Sequence, residues 1–134
     1  MASNWSILRV FRLSTLILFL FSASTSVANV KSVEFRFSLL SALSKYTEIA
    51  QFYEQNEFKP IWVGNNRSAK DRRSYFFKEL NNASAHALPI LTYDADYLKN
   101  QFRQARTASE LGLIEALITM KFLDYSSKMQ TGVL

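Results

Sequence analysis

His86 is the only histidine in a chain that has no cysteine. Disulfides, thiolate metal sites and a cysteine nucleophile are therefore excluded for this polypeptide, and a histidine metal site or a Ser/His pair would have only carboxylates as partners. No nucleophile or orienting group is identifiable for His86, which reads as a turn residue at the end of a helix. The closest acidic pairs are Asp94 with Asp96 and Glu54 with Glu57. A glycosidase needs two carboxylates held at a set separation across a cleft, one of them desolvated. Asp94 and Asp96 instead stand at a helix start, where carboxylates have an ordinary structural use, and Glu54 and Glu57 lie three apart at a helix end. With three glycines in the chain, phosphate-cradling loops are hard to build, and there is no nucleophile elbow, Walker loop or dinucleotide fingerprint. The residues supply no catalytic group, and no cofactor or metal is expected.

Binding has more to work with. Phe52, Tyr53, Phe58 and Trp62 surround a change from helix to extended chain, where they either line a groove for a sugar or a partner chain or pack into a core. Arg67, Lys70, Arg72 and Arg73 cluster at the start of a helix, where positive charge opposes the helix dipole unless an anion or carboxylate is near. They either face anionic wall polymer or lipid headgroups or form a solvated helix face. Tyr53, Trp62, Lys70, Arg72 and Arg73 are thus the candidate binding residues.

The element that must position these groups is the last long helix, predicted over Ser109 to Gln130. At 100° per residue, Leu111, Ile114, Ile118, Phe122, Tyr125 and Met129 form one apolar stripe, and Leu113, Ala116, Met120 and Leu123 form another. Two apolar faces need two sets of neighbours, which makes this the central helix. Between the stripes lie a polar wedge of Gly112, Glu115, Thr119 and Ser126 and a charged one of Glu110, Lys121, Asp124 and Lys128, both expected to keep contact with water. Thr107 and Glu110 have capping-box spacing, and Gly132 can end the helix in a left-handed residue.

Earlier in the chain, Val33 to Phe37 alternates apolar and charged residues, the pattern of a short extended segment or of the frayed start of the next helix. That helix is predicted from about Ser38 to Asn56, with Leu39, Leu43, Tyr46, Ala50 and Tyr53 on one stripe. Pro60 marks an extended stretch from Phe58 to Val63. A second helix follows over roughly Ala69 to Ala83, with Ser68 as N-cap and Tyr75, Phe76 and Leu80 as its apolar side. A third runs from near Thr92 or Asp94 to about Arg106, burying Tyr97, Leu98, Phe102 and Ala105. The predicted fold is all-α, a small bundle of about four helices around the C-terminal one.

Met1 to Ala28 reads as a secretory signal peptide: Arg9 and Arg12 precede an apolar Leu13–Phe21 run, and Ser26-Val27-Ala28 fits a cleavage site. As a helix that run spans only about half of a ~30 Å hydrocarbon core, so cleavage is favoured over an inner-membrane anchor. The remainder, 29–134, is expected to be one domain. The formal charge of +5 falls to +3 on loss of the two leader arginines, too dilute for nucleic-acid binding. A small secreted domain without disulfides points to a bacterial envelope, periplasmic or secreted, with membrane contact only through an uncleaved leader.

Phe52-Tyr53 followed by Phe58-Lys59-Pro60-Ile61-Trp62 resembles the motif that opens the scaffold domain of the large multidomain bacterial L,D-transpeptidases. His86-Ala87-Leu88 sits where that family has His-Gly-Leu, with Ala87 in place of a glycine, and Tyr97 matches a following tyrosine. Ile114-Glu115-Ala116-Leu117-Ile118-Thr119, then Phe122-Leu123-Asp124-Tyr125 and Gly132, resembles the family's last scaffold helix. The resemblance implies an exported protein of peptidoglycan metabolism. In that family a separate domain carries the cysteine nucleophile, so the expectation here is a non-catalytic scaffold or binding domain, a truncated copy, that docks to peptidoglycan or to a cell-wall enzyme. The alternative is a small secreted interaction protein or effector that reuses the fold for another partner.

Overall fold

The computed structural model describes residues 22–86, 88 and 92–131, and among these every regular element is helical. The order is α1 (Ser22–Ala42), α2 (Thr47–Gln55), α3 (Arg67–Asn81), a 3-10 turn (Ala83–His86), α4 (Ala95–Gln104) and α5 (Ala108–Thr131). The chain divides at Val33/Glu34 into two units. Of the first, residues 1–21 lie outside the described residues, and with them most of the predicted leader; Ser22 to Val33 are helical. The second unit, Glu34–Leu134, holds both hydrophobic cores. No helix of the described residues is long and apolar enough to cross a membrane.

The all-α expectation holds, and α5 spans two residues more than predicted. Its start is the expected capping box. Glu110 N donates to Thr107 Oγ1 at 3.2 Å, and Thr107 N donates back to Glu110 Oε2 at 2.9 Å. Hydrogen bonds from the Arg106 and Thr107 backbone amides hold the Glu110 carboxyl below its usual range. That contribution is present above the ordinary carboxylate pKa and is lost as the pH falls through the lowered one. The predicted ending at Gly132 lies outside the described residues.

Two cores flank α5, as its two stripes require. Ile114, Ile118 and Tyr125 enter the larger, with Trp62, Phe76, Phe77, Leu80, Tyr93 and Leu98. Ala116 enters the smaller, with Leu39, Leu43 and Tyr53, and Met120 packs against it. The stripes are narrower than predicted: Leu113, Phe122, Leu123 and Met129 remain exposed. The larger departure is the polar wedge. Gly112, Glu115 and Thr119 are buried, Glu115 completely. The seam expected to meet water is closed by other elements.

Further expectations are corrected. Val33 to Phe37 is helical, the second of its two readings rather than an extended segment, and is part of α1, because Phe35 packs against both cores while its charged neighbours Glu34 and Arg36 stay outside. The predicted Ser38–Asn56 helix is broken at Leu43 to Tyr46, which resets the helical phase and leaves Tyr46 exposed. Helix α3 starts two residues early because Asn66, not Ser68, is its N-cap, accepting from Ala69 N at 2.8 Å. Its buried face accordingly holds Phe77 and Arg73, while Tyr75 points outward. In α4, Asp94 caps by accepting from Tyr97 N at 2.9 Å, and Leu98 is buried where Tyr97 is exposed.

Helix α2 ends in a Schellman motif built without glycine. Phe58 N donates to Tyr53 O at 2.8 Å and Glu57 N to Glu54 O at 3.1 Å, with Glu57 and Phe58 both at positive φ (55° and 56°). A left-handed non-glycine residue costs roughly 1–2 kcal/mol, against roughly 0.5–1 kcal/mol for the extra freedom glycine loses on folding. Glu57→Gly is therefore expected to stabilise the protein by about 0.5 kcal/mol, read as a rise in urea midpoint; a fall would place the turn elsewhere.

Candidate functional site

Sequence-distant polar groups converge on Glu115. Pro60 and the turn after α2 bring the 61–63 segment across α5, and this segment bends, so that three successive amides face one side. A fully extended stretch, expected here, would point them alternately. Ile61 N donates to Glu115 Oε1 at 2.6 Å, Val63 N to Oε2 at 2.9 Å, and Trp62 N to both oxygens at 3.2 and 3.0 Å. The Tyr53 hydroxyl donates to Oε1 at 2.7 Å. A carboxylate has about four lone-pair positions, and four donors occupy them. Backbone nests hold an anion in the same way.

Thr119, one turn along α5, extends the node. Its hydroxyl accepts from Trp62 Nε1 at 2.9 Å, and its single proton serves either the Glu115 carbonyl at 2.9 Å or the Tyr53 oxygen at 2.7 Å. On the other side of the loop, the Arg73 guanidinium donates to the carbonyls of Trp62 and of Gly64, the latter at 3.0 Å, and lies 4.3 Å over the Phe102 ring. Burial lowers the Arg73 pKa, and the Glu115 charge acts the other way. The 61–64 loop is thus held by its donors on Glu115 and by its acceptors on Arg73. This is why a basic residue is tolerated in the first turns of α3.

The candidate binding residues separate accordingly. Tyr53, Trp62 and Arg73 are buried and bonded within this node. Arg72 and Lys70 are exposed: Arg72 donates to Ser68 Oγ at 2.7 Å, and Lys70 borders a cleft with Phe77, Lys99 and Arg103 between α3 and α4. Of the acidic pairs, Asp94 serves as a cap, Asp96 pairs with Lys99 at 2.9 Å and Glu57 with Lys59 at 2.7 Å. His86 closes the 3-10 turn, and Ala87 lies outside the described residues. Beside the node, between α2 and α5, a groove of about 440 Å³ is lined mainly by Ile49, Phe52, Trp62, Phe122 and Leu123. Sequence reasoning named Phe52 and Trp62 for such a groove but not its α5 wall, and it missed Glu115. The available signal was position: Glu115 and Thr119 form a narrow polar seam between two apolar stripes.

Burial holds Tyr53 and Tyr93 well above the ordinary tyrosine range and raises Tyr125 as well. For Tyr53 the Glu115 charge adds to it, for Tyr93 the hydrogen bond to Asp124 at 2.6 Å, and for Tyr125 the Glu79 charge. An unfolded chain would release these protons near pH ~10. Their contribution is complete below that pH and is lost as the pH rises toward the folded values. In an alkaline titration, three of the six tyrosines are expected to ionise only together with the loss of far-UV helicity. Reversible ionisation of all six with the helix signal intact would contradict their burial.

The two stretches that meet here, Tyr53 to Trp62 and Glu115 to Thr119, are those on which the family resemblance rests. A family model described as Scaffold domain matches residues 47–134. No curated protein and no solved structure gives a match. The matched region begins with the first residue of α2 and contains every residue of the Glu115 node. Two-thirds of the sequence thus fits one model, with both halves of the node inside it, and the chain belongs to the Scaffold domain family.

Proposed function

We propose that the chain is a non-catalytic scaffold module of the kind carried by bacterial L,D-transpeptidases, exported to the periplasm or beyond, and that it docks to peptidoglycan or to a cell-wall enzyme. The observation that carries this reading is the Scaffold domain match over residues 47–134, whose motif residues meet in one buried node. The chemistry of the node supports it. A carboxylate whose lone pairs are all taken by backbone and phenol donors has no capacity left to accept a substrate proton. Glu115, Tyr53, Thr119 and Trp62 shape a loop and support the surface beside it.

The test is a pull-down with the folded chain on purified sacculi and, separately, on solubilised envelope proteins. Retention by sacculi or recovery of a cell-wall enzyme is expected; recovery of neither removes the reading. In parallel, the purified chain incubated with muropeptides is expected to leave them unchanged. Cross-link formation or bond cleavage without a second polypeptide would overturn the non-catalytic assignment.

A further inference from the structure

In the groove between α2 and α5, large apolar side chains gather around a concavity and stay open to solvent. Phe52, Phe122 and Leu123 are 45%, 40% and 43% exposed, and Ile49 and Ile61 complete the lining. Three such residues around one cavity mark an interaction site rather than scattered surface hydrophobes. The charged groups at the rim are Glu48 and Arg72. Arg72 donates to Ser68 Oγ and has no carboxylate partner among the described residues, and it also borders a depression formed with Arg67, Asp71 and Tyr75 on the outer face of α3.

Resting on the docking function proposed above, we infer that this groove binds a peptide segment of a protein partner, not a glycan. The segment inserts one or two large apolar side chains between Phe52 and Leu123 and sets a carboxylate against Arg72. Two observations choose the occupant. A sugar carries hydroxyls around its ring and needs matching donors and acceptors, but Thr119, the polar group inside the groove, is already committed to Trp62, Tyr53 and Glu115. Of the three aromatic rings in the lining, Trp62 is 2% exposed with its indole N–H turned to Thr119, and the open Phe52 and Phe122 rings carry no donor or acceptor for a hydroxyl-bearing ligand. An apolar side chain meets neither obstacle, and the unpaired Arg72 supplies complementarity for an acidic neighbour. The depression beyond Arg72 carries the peptide onward across α3.

The inference is tested by titrating the ¹⁵N-labelled chain with N-acetylated, C-amidated Ala-Leu-Phe-Glu-Ala and with the same peptide carrying Lys for Glu. Shifts are expected at the Trp62 indole N–H and at the Phe52 and Leu123 amides, with the Glu peptide binding about threefold more tightly. Arg72→Glu reverses that preference. Leu123→Glu, at an exposed position, removes the shifts while leaving the thermal midpoint nearly unchanged. Equal affinity for the two peptides, shifts that survive Leu123→Glu, or a disaccharide–peptide fragment of peptidoglycan that moves the same resonances at lower concentration would each overturn it. The two proposals fail separately. A Leu123→Glu chain that still retains its partner in the pull-down leaves the docking function standing and removes the groove from it.

Discussion

Glu115→Ala is expected to destabilise the protein by about 3–5 kcal/mol, the range for breaking one side of a buried charged network. The side chain is completely buried and accepts from four donors, three of them consecutive backbone amides. Alanine leaves the amides of Ile61, Trp62 and Val63 without partners and the Tyr53 hydroxyl with Thr119 Oγ1 alone, and each unsatisfied buried group costs about 1–3 kcal/mol. It also removes the carboxylate whose charge favours the charged form of Arg73. A domain of this size holds about 5–15 kcal/mol in total, so the variant sits at the edge of folding. Glu115→Gln separates hydrogen bonding from shape. It keeps the volume, but one oxygen becomes an amide that points its own N–H groups at backbone donors, and a loss of about 2 kcal/mol or more is expected. Urea unfolding followed by far-UV CD, with near-UV CD for the Trp62 environment, reads both variants. A parent-like midpoint for Glu115→Ala would mean that the node does not hold the loop. Tyr53→Phe, which removes one donor and leaves the carboxylate bonded to the backbone, should cost about 1 kcal/mol and couple to Glu115 in a double-mutant cycle.

The helices that the sequence made legible are those whose signals are local. The Thr107–Glu110 capping box, the acidic start of α4 at Asp94 and Asp96 and the two-sided pattern of α5 each depend on residues within a turn or two of one another, and each is present. What was illegible depends on partners far along the chain. Hydrophobic periodicity assigns Glu and Thr to water, and only the arrival of a loop more than fifty residues upstream makes Glu115 a buried acceptor. The same holds for Arg73, whose basic character suggested an anionic ligand but which serves two carbonyls 9 and 11 residues before it. The aromatic cluster divided for the same reason. Tyr53 and Trp62 turn polar atoms toward the node and are buried, while Phe52, with none to satisfy, is left in the groove wall. Neighbouring residues of similar type thus have different roles, and only tertiary donors and acceptors distinguish them.

Gly112→Ala carries the second large expectation, and its sign is the informative part. In an exposed helix interior this substitution stabilises by about 1 kcal/mol, because alanine loses less backbone freedom than glycine. Gly112 is buried where α1 crosses α5, and a Cβ built there lies 2.4 Å from the carbonyl oxygen of Phe35 and 3.1 Å from both Leu39 N and Ser38 Cβ. Two of those three neighbours are backbone, which cannot rotate aside as a side chain tip can. Accommodation requires α1 to move off α5, which strains the Ser38 Oγ to Ser109 Oγ bond at 2.6 Å and the seating of Leu39 and Leu43 against Ala116. Overpacking of this kind costs typically 1–3 kcal/mol and more where backbone must shift, so a net loss of about 2 kcal/mol is expected for alanine and a larger one for Gly112→Val. Hydrogen exchange distinguishes a local from a general effect. Amides of Leu39 and Leu43 should lose protection before those of Phe76 and Leu80 in the larger core, because the crossing belongs to the smaller one. A rise in melting temperature for Gly112→Ala would show that the two helices do not approach at this point. The smaller core, and with it the seat of Tyr53 beside Glu115, would then need another explanation.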